Sequence, residues 1–471
     1  MQYSIVNYKT VKENSDFRID AEYFLSKYQK LEKFLFTKKT NNLNYFSDFI
    51  KKGIFDISPS NYINDGGIAF LRSGDLKDEF ISSNEIIQIT QTSHENEKRT
   101  ELIKNDLLMA KVGTIGDVAI NLRFEKLNFS QNVIGIRVKK EHKPISGFLL
   151  SFLNCLYGRN QINRVLSGQV QQKLTLEDVK KIKVVSLEYS MQRLISQIVY
   201  KAYTLREKSN NIYSQAEQLL LSELGLLDWK PKHTLSFVKN FSATQEAERF
   251  DAEYFQPKYE EIIEAVKKYK GGFDELGNFV KIKDKNFTPK DNERYKYIEL
   301  ANISSNGEIN GYTENFGNEL PSRARRKVQK GNLIISSIEG SLESIALITE
   351  DWKNALCSTG FFAVNSDIIN SETLLVLLKT KIGQLQLKKG CKGTILTAIG
   401  KDELSKIVLP KIDLKTQEEI KKKITEMYET KKTSKSLLEI AKRGVEIAIE
   451  KDEQEAEKWI EEKLKEIKVE I

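Results

Sequence analysis

The chain has 471 residues, of which 40% are hydrophobic and 30% charged, and its formal net charge at pH 7 is +8. This composition predicts a globular protein of about three domains with a mildly basic surface, which permits nucleic acid as a partner without requiring it. No apolar run is long enough to span a bilayer and the first residues lack a signal-peptide core, so we expect neither a membrane span nor a signal peptide. Three scattered cysteines predict a reducing, cytoplasmic location.

The first domain is predicted to cover residues 1–187. It opens with a helix over 20–35, where apolar side chains recur at helical spacing. From residue 45 onward, short β-rich runs such as IAFLRSGDL and LLMAKVGTIGDVAI alternate with Gly, Asn, Asp and Ser. This alternation is typical of strands joined by turns, so we expect an α+β domain.

A long helix is predicted over residues 188–226. Its apolar positions alternate in steps of four and three without a slip, which indicates the heptad seam of a coiled coil. Gly225 and Pro231 end the helix. The seam consists of Met191, Ile195, Ile198, Ala202, Leu205, Ser209, Ile212, Ala216 and Leu219.

The chain then repeats itself. RIDAEYFLSKY at residues 18–28 returns as RFDAEYFQPKY at 249–259, with eight of eleven positions identical at an offset of 231. A period this long is not that of a solenoid, whose units recur every ~20–50 residues. It indicates a duplicated domain and therefore a pseudo-twofold molecule.

The second copy follows the order of the first. A linker at 227–247 leads to a second domain at 248–412, and a second long helix and C-terminal tail occupy 413–471. In the second seam, Ser434 takes the place of Ser209, 225 residues later. The second seam consists of Ile420, Ile424, Met427, Lys431, Ser434, Leu438, Ala441, Val445 and Ala448.

The fold class follows from this symmetry. Each long helix of about 35 residues spans roughly 50 Å at ~1.5 Å per residue, and its apolar seam needs a partner. We therefore predict an α+β protein with two pseudo-twofold-related α/β domains, separated by a pair of long antiparallel coiled-coil helices.

No catalytic constellation stands out in the sequence. Phosphate-binding and dinucleotide-binding glycine motifs are absent, and the three histidines, His94, His142 and His233, are too scattered for a triad or a metal site. Close carboxylates such as Asp402 and Glu403 stand at predicted helix starts, where they favour the helix dipole. We predict no catalytic residues, no metal and no cofactor.

These features together resemble the specificity subunit of type I restriction-modification systems. The resemblance rests on the duplicated R-x-D-A-E-Y-F-x-x-K-Y phrase, the FLRSGDL and DLLMAKVGTIGDVAI runs, the paired GQVQQKLTLEDVKKI and GTILTAIGKDELSKI segments, and the two spaced long helices. It covers both copies. It implies two target recognition domains that each read one half of a bipartite double-stranded DNA site. It also implies two DNA methyltransferase (modification) subunits on the long helices, a motor-nuclease subunit for restriction, and no catalysis by this chain.

Two kinds of side chain are candidates for DNA contact. Basic residues in SHENEKRTELIK and PSRARRKVQKG, where a solvated loop is the alternative, are expected to face phosphates: Lys98, Arg99, Arg323, Arg325, Arg326 and Lys327, with His94 in the first loop. Side chains on the recurring turns can reach base edges: Arg72, Ser73, Lys111, Thr114, Gln169, Gln171, Gln172, Lys173, Asn302, Ser337, Ser341, Thr394 and Thr397.

A second hypothesis is a non-catalytic coiled-coil scaffold whose two end domains bind a ligand other than DNA. The salt dependence of DNA binding distinguishes the two hypotheses, because DNA binding through phosphate neutralisation weakens steeply as the salt concentration rises. A third hypothesis, a nuclease with an unrecognised site, requires DNA cleavage by the purified chain.

Overall fold

The computed structural model describes residues 5–12, 19–82, 86–166, 174–283, 285–304, 306–393 and 397–471. They form two compact units, one of Met1–Glu207 with Thr430–Ile471 and the other of Lys208–Glu429. Each unit mixes helices with sheets. Across these ranges, none of the helices has both the length and the apolar character needed to cross a membrane.

The helices are, in chain order, α1 Tyr8–Lys12, α2 Ser26–Leu35, α3 Gln91–Asn96, α4 Ser146–Asn154, α5 Leu156–Leu166, α6 Leu176–Lys181, α7 Tyr189–Glu223, α8 Phe241–Ala247, α9 Pro257–Lys267, α10 Leu276–Phe279, α11 Ser371–Lys379, α12 Lys381–Lys389, α13 Lys401–Ser405, α14 Leu414–Glu450 and α15 Glu453–Glu466. The two long ones, α7 and α14, each contribute to both units.

The strands of the first unit are β1 Thr40–Asn42, β2 Ser47–Lys52, β3 Tyr62–Ile63, β4 Ile68–Leu71, β5 Leu76–Lys77, β6 Phe80–Ile81, β7 Gln88–Ile89, β8 Leu102–Ile103, β9 Leu107–Ala110, β10 Val118–Ile120, β11 Lys126–Phe129, β12 Val133–Val138 and β13 Lys183–Val185. They form sheets in the orders β2-β12-β9-β10-β6-β5, β3-β7-β4-β11-β8 and β1-β13.

The strands of the second unit are β14 Phe273–Glu275, β15 Lys281–Lys283, β16 Arg294–Ile298, β17 Thr313–Phe316, β18 Ala324–Lys327, β19 Leu333–Ser336, β20 Ile345–Leu347, β21 Leu356–Ser358, β22 Phe361–Asn365, β23 Cys391–Lys392, β24 Ala398–Ile399 and β25 Val408–Pro410. Their sheets run β15-β22-β19-β20, β17-β16-β21-β18, β14-β25 and β23-β24.

The two units share one topology. The order β15-β22-β19-β20 repeats β2-β12-β9-β10, and the parallel pair β16 and β21 repeats β4 and β11. The apolar runs of these strands explain the burial, since all four residues of β4, β9 and β19 are buried. The duplication predicted from sequence is therefore a duplication of fold.

The long helices pair antiparallel within each unit, as predicted. In the first unit, Ile195 lies against Gly444 and the Ala202 carbonyl accepts a hydrogen bond from Ser434. In the second unit, Gln215 Oε1 accepts from Lys423 Nζ at 3.0 Å. All nine positions of the second seam are buried, and seven of the nine in the first, while Leu205 and Leu219 are half-buried. The buried seam explains why two helices with many charged residues associate.

The C-terminal tail forms α15, which returns to the end of α14. Ala456, Ile460 and Leu464 on this helix are buried, and Ile460 fits against Gly444, where an added Cβ would lie 2.6 Å from its Cδ1. The Glu453 carboxylate accepts the backbone N–H of Glu188 at 3.0 Å. The tail therefore completes the core of the first unit.

The helix predicted over 20–35 begins later, at Ser26. The preceding residues form a turn, in which Asp20 Oδ1 accepts the backbone N–H of Tyr23 at 3.0 Å. The second copy repeats this turn with Asp251 and Tyr254, also at 3.0 Å. An aspartate that bonds a backbone N–H three residues on competes with helix formation, so the shared D-A-E-Y-F phrase is a turn before a helix.

Candidate nucleic-acid interface

In the second unit, segments at the ends of strands converge on one edge. The Thr359 N–H donates to the Arg323 carbonyl at 2.9 Å, and the Ser337 N–H donates to the Gly360 carbonyl at 2.9 Å. The Glu339 N–H donates to the Thr397 carbonyl at 3.0 Å. The loops that carry Arg323, Ser337 and Thr397 therefore lie side by side, although they are far apart in the chain.

The turn at 299–302 joins the same edge, because Ser344 Oγ donates to the Leu300 carbonyl at 3.2 Å. Four predicted positions of the second copy, Asn302, Ser337, Ser341 and Thr397, are thus brought together with Arg323.

The first unit builds its edge from the equivalent strand ends. The Ser130 N–H donates to the Leu71 carbonyl at 2.8 Å, which places the segment 130–132 beside the turn of Arg72 and Ser73. The Lys111 N–H donates to the Asn132 carbonyl at 2.9 Å, which adds the loop 111–117 with Thr114. Predicted contacts from three strand ends therefore meet here as well.

The basic loop of the first copy reaches the same strand end. Lys98 and Arg99 are exposed and precede β8, whose partner β11 runs into the segment 130–132. Arg99 pairs with Glu97 at 3.0 Å, in a contact that is largely solvent-exposed on the arginine side. Such an exposed pair contributes little energy, so the guanidinium can exchange that partner for a phosphate.

The basic run of the second copy lies at and beyond a sheet edge. Arg323 is exposed ahead of the edge strand β18. Arg325 Nε donates to the Ser322 carbonyl at 3.1 Å, and Arg326 donates to Asn286 Oδ1 at 3.1 Å. Lys327 lies over the Phe287 ring, 4.8 Å from its centre. Arg323 is therefore the member of this run best placed to face a ligand at the loop edge.

Some predicted base readers already hold the loops together. Asn302 Oδ1 accepts the Glu299 N–H at 2.8 Å, and in the first copy Asp75 accepts the Arg72 N–H in the same way at 2.7 Å. Ser337 Oγ donates to the Gly360 carbonyl at 3.0 Å, and Ser341 Oγ lies 3.0 Å from Ser336 Oγ. These groups fix loop shape, and each hydroxyl keeps lone pairs that can accept a bond.

His94 differs from its expected place in an exposed basic loop. It is 2% exposed, with Nδ1 2.5 Å from Asn128 Oδ1 and Nε2 3.1 Å from Glu101. Asn128 lies on β11, distant in the chain, whereas Glu101 follows His94 in the same basic loop, directly before β8. His94 therefore supports the sheet and does not face a ligand.

Gln169, Gln171, Gln172, Lys173 and Thr394 were also predicted to contact DNA. They lie outside the residues that the structure describes.

Sequence reasoning missed the segment between β11 and β12. Gln131 is half-buried and Asn132 exposed, directly beside the turns of Arg72 and Lys111. Amide side chains can bond adenine with two hydrogen bonds. The available signal was the polar run SQN between two apolar strands.

One half-buried cation braces the loop 337–344. Lys379, at the end of α11, donates from Nζ to the Glu343 carbonyl at 2.6 Å. Burial lowers the pKa of Lys379 to about 8, and the carboxylates of Glu343 and Glu217 only partly offset it. The loop is therefore tied to α11 through a lysine that loses its charge in mildly alkaline solution.

Other chemistry was sought around these edges. Within the described ranges, no three His, Cys, Asp or Glu side chains are grouped so that they could hold a metal ion. Cys155, Cys357 and Cys391 are buried, and burial raises the thiol pKa of the first two to about 12. Such thiols are poor nucleophiles.

Comparison with known proteins gives the following matches. Residues 39–218 match the family described as type I restriction modification DNA specificity domain. Among solved structures, the chain is similar to a type I restriction-modification S subunit from M. genitalium, with 13% identity, a TM-score of 0.36 and coverage of 92% of this chain and 96% of that one. It is also similar to the HsdS subunit from Thermoanaerobacter tengcongensis, with 14% identity, a TM-score of 0.28 and coverage of 88% and 97%.

Proposed function

Since this chain carries a type I restriction-modification DNA specificity domain over residues 39–218 and belongs with the specificity subunits of those systems, we propose that it recognises a bipartite DNA target and directs a DNA methyltransferase to it. The family indicated by the sequence motifs is confirmed by this match. What we propose beyond the family is that the target has two half-sites, that methyltransferase subunits are the partners, and that the residues named below contact DNA.

The observation that carries the proposal is the repeated loop edge. In both copies, equivalent strand ends bring a turn, a loop and a basic segment together, at 72–75, 111–117 and 98–99 in the first copy and at 299–302, 337–344 and 323 in the second. Side chains at equivalent points differ, as Arg72 and Glu299 do. One scaffold with two sets of side chains suits two different half-sites, since base-edge contacts specify sequence.

The basic residues at the edge suit phosphate. Lys98, Arg99 and Arg323 are exposed and reach the converging loops. Phosphate contacts fix the register of a protein on the duplex, while base contacts carry the sequence information. We assign Lys98, Arg99 and Arg323 to phosphates, and Arg72, Lys111, Thr114 and Asn132 to base edges.

The long helices suit protein partners and a spacing role. The pair formed by α7 and α14 runs through both units, so it links the two recognition domains with continuous helix. Two modification subunits would dock on this pair, one for each copy, and a motor-nuclease subunit would join for restriction. The chain itself would perform no catalysis.

The test is co-expression with a type I modification subunit in a host that lacks DNA methylation, followed by sequencing of modified bases. A motif of two short specified sequences separated by a fixed unspecified gap is the expected result. Absence of any new modified motif with an assembled complex would contradict the proposal. A second test measures DNA affinity between about 50 and 200 mM salt, where several phosphate contacts predict a loss of orders of magnitude, and a scaffold without a DNA role predicts none.

A further inference from the structure

In each copy a hairpin leaves the recognition turn and reaches a long helix. The anchor hairpin of the first copy, residues 75–82, is closed by the Ser82 N–H on the Asp75 carbonyl at 2.7 Å. The anchor hairpin of the second copy, residues 302–304 and 306–310, is closed by the Asn310 N–H, which donates to the Asn302 carbonyl at 2.8 Å. Asp75 and Asn302 are also the residues whose side chains close the recognition turns. A shift of either hairpin therefore moves its recognition turn.

The tips of both hairpins contact equivalent tyrosines of the long helices. The ring of Phe80 lies 5.4 Å from that of Tyr203 on α7. In the second copy, the hydroxyl of Tyr428 on α14 donates to the Gly307 carbonyl at 2.9 Å. Tyr428 follows Tyr203 by the repeat offset of 225. Both copies therefore have a contact between the anchor hairpin and a long helix. It is a contact between aromatic rings in the first copy and a hydrogen bond in the second.

The tip of the first hairpin has a strained backbone. The turn between β5 and β6 has two residues, Asp78 with φ 50° and Glu79 with φ 66°. Two-residue turns with positive φ at both positions favour Asn-Gly, because a side chain in the left-handed region is disfavoured. A glutamate is held there only if the surroundings require it, and such strain tends to occur where a fixed geometry serves function.

The surroundings of Glu79 supply that requirement. Its Oε1 lies 2.8 Å from Lys442 Nζ on α14, and its Oε2 is buried with no hydrogen-bond partner among the described residues. Burial raises the pKa of Glu79, although Lys442 opposes the shift. Removing one partner of a buried ion pair is strongly unfavourable, because the other charge is left buried without compensation. Below the turn, Phe80 is fully buried, and the Arg206 guanidinium lies 5.3 Å from its ring centre.

Glu79 also borders the second recognition loop. Its carbonyl accepts the Ile120 N–H at 3.1 Å, and β10, which holds Ile120, begins directly after the loop 111–117. Asp117 at the end of that loop pairs with Arg159 at 2.8 Å. One residue therefore connects the long helix with both base-reading segments of the first copy.

We propose that Glu79 is a positioning residue for specificity, which through Lys442 fixes the first recognition edge on α14 so that the first half-site is read at one set angle. The inference rests on the proposed function, since it needs two half-sites to be read. Glu79 touches no base itself. Its loss loosens the first edge and leaves the second edge, held by Tyr428, unchanged.

The experiment uses the full chain co-expressed with the modification subunit on a plasmid library in which each half-site is varied. Glu79→Gln removes the charge and keeps the shape. Glu439→Gln is the matched control, because Glu439 bonds the same Lys442 ammonium at 2.7 Å from an exposed position on α14, outside the anchor hairpin. We expect Glu79→Gln to raise modification of sites with a mismatch in the first half about tenfold, equal to about 1.4 kcal/mol of discrimination. Modification of sites with a mismatch in the second half should not change. Glu439→Gln should modify both kinds of mismatched site as the parent does.

A second variant separates positioning from stability. Glu79→Gly gives the turn an Asp-Gly sequence that suits its backbone while removing the anchor. It is expected to fold at least as well as Glu79→Gln and still to relax the first half. The proposal would be overturned if Glu79→Gly rejected mismatches in both halves as strictly as the parent does. It would also be overturned if either variant tolerated mismatches equally in both halves. A parent complex that modifies no two-part motif would instead contradict the proposed function, so the two failures are distinct.

Discussion

The hydroxyl of Ser209, the one polar residue in the seam of α7, donates to the backbone carbonyl of Met427 on α14 at 3.0 Å. The counterpart of Ser209, Ser434, donates across its own part of the seam to the Ala202 carbonyl at 2.6 Å. Both serines are buried, at 0% and 3% exposure. A buried hydroxyl needs a partner, and a polar group in a coiled-coil seam can fix the register. These two contacts set how the helices align within each unit.

Removing the two seam serines should weaken the helix pair. The Ser209→Ala and Ser434→Ala double variant loses two buried hydrogen bonds, each of which contributes about 1 kcal/mol. Urea unfolding should show a stability lower by about 2 kcal/mol, whereas Ser214→Ala, at an exposed position of α7, should match the parent. A double variant as stable as the parent would mean that the serines do not hold the register.

A charge in the seam should be far more damaging. Ile198 is fully buried, so Ile198→Asp places an unpaired carboxylate in the core, at a cost of several kcal/mol. Helical circular dichroism and the melting temperature should fall sharply. Asn211→Asp, which adds the same charge at an exposed position of α7, is the control and should change neither signal.

Arg323 should contribute to DNA affinity equally for every DNA sequence. Arg323→Gln removes one cation from the loop edge, so the slope of log affinity against log salt should decrease by about 1 for every DNA sequence. Lys330→Gln is the control, because Lys330 lies at the other end of β19 and pairs with Glu350. Loss of affinity for only some sequences would instead place Arg323 on a base.

Lys379 should make the free energy of unfolding depend on pH. Burial lowers its pKa to about 8 from 10.5, so between these values the unfolded chain binds a proton that the folded chain does not. Stability contributed by this group therefore rises with pH across that window. The parent should gain stability relative to Lys379→Met between about pH 8 and 10.5, whereas Lys415→Met, at an exposed position, should follow the parent. A difference between the parent and Lys379→Met that does not change with pH would contradict this account.

The spacing role of the helices predicts a change in the gap between half-sites. Four residues inserted into both helices, near Ser209 and Ser434, add about one turn and about 6 Å. At about 3.4 Å per base pair, the unspecified gap in the modified motif should lengthen by one or two base pairs. An active variant whose gap is unchanged would show that the helices do not set the spacing.

The sequence predicted the parts of this fold that depend on periodicity. The repeated phrases of the two copies predicted the shared topology, and the alternation of steps around Ser209 and Ser434 predicted the buried seams. The sequence placed Arg72, Lys111 and Ser337 on recurring turns, but only the structure shows that the turn of Arg72 lies beside the loop of Lys111 in the first unit, and the loop of Ser337 beside that of Arg323 in the second.

The sequence could not predict contacts between distant segments. Glu79 and Lys442 are 363 residues apart, and neither window shows why a glutamate should occupy a left-handed turn. His94 stands among charged residues, yet it is buried and contacts Asn128 on β11, 34 residues away, as well as Glu101 in its own loop. The start of α2 was misplaced because an aspartate turn and a helical turn share the same apolar spacing over a few residues.

The central claim is that two separate edges read two half-sites. The most direct measurement exchanges residues 45–187 for the equivalent segment of a relative with a different target and sequences the modified bases in the co-expressed complex. One half of the motif should change to that of the relative, while the other half stays as in the parent. A motif in which both halves change, or neither does, would contradict the account.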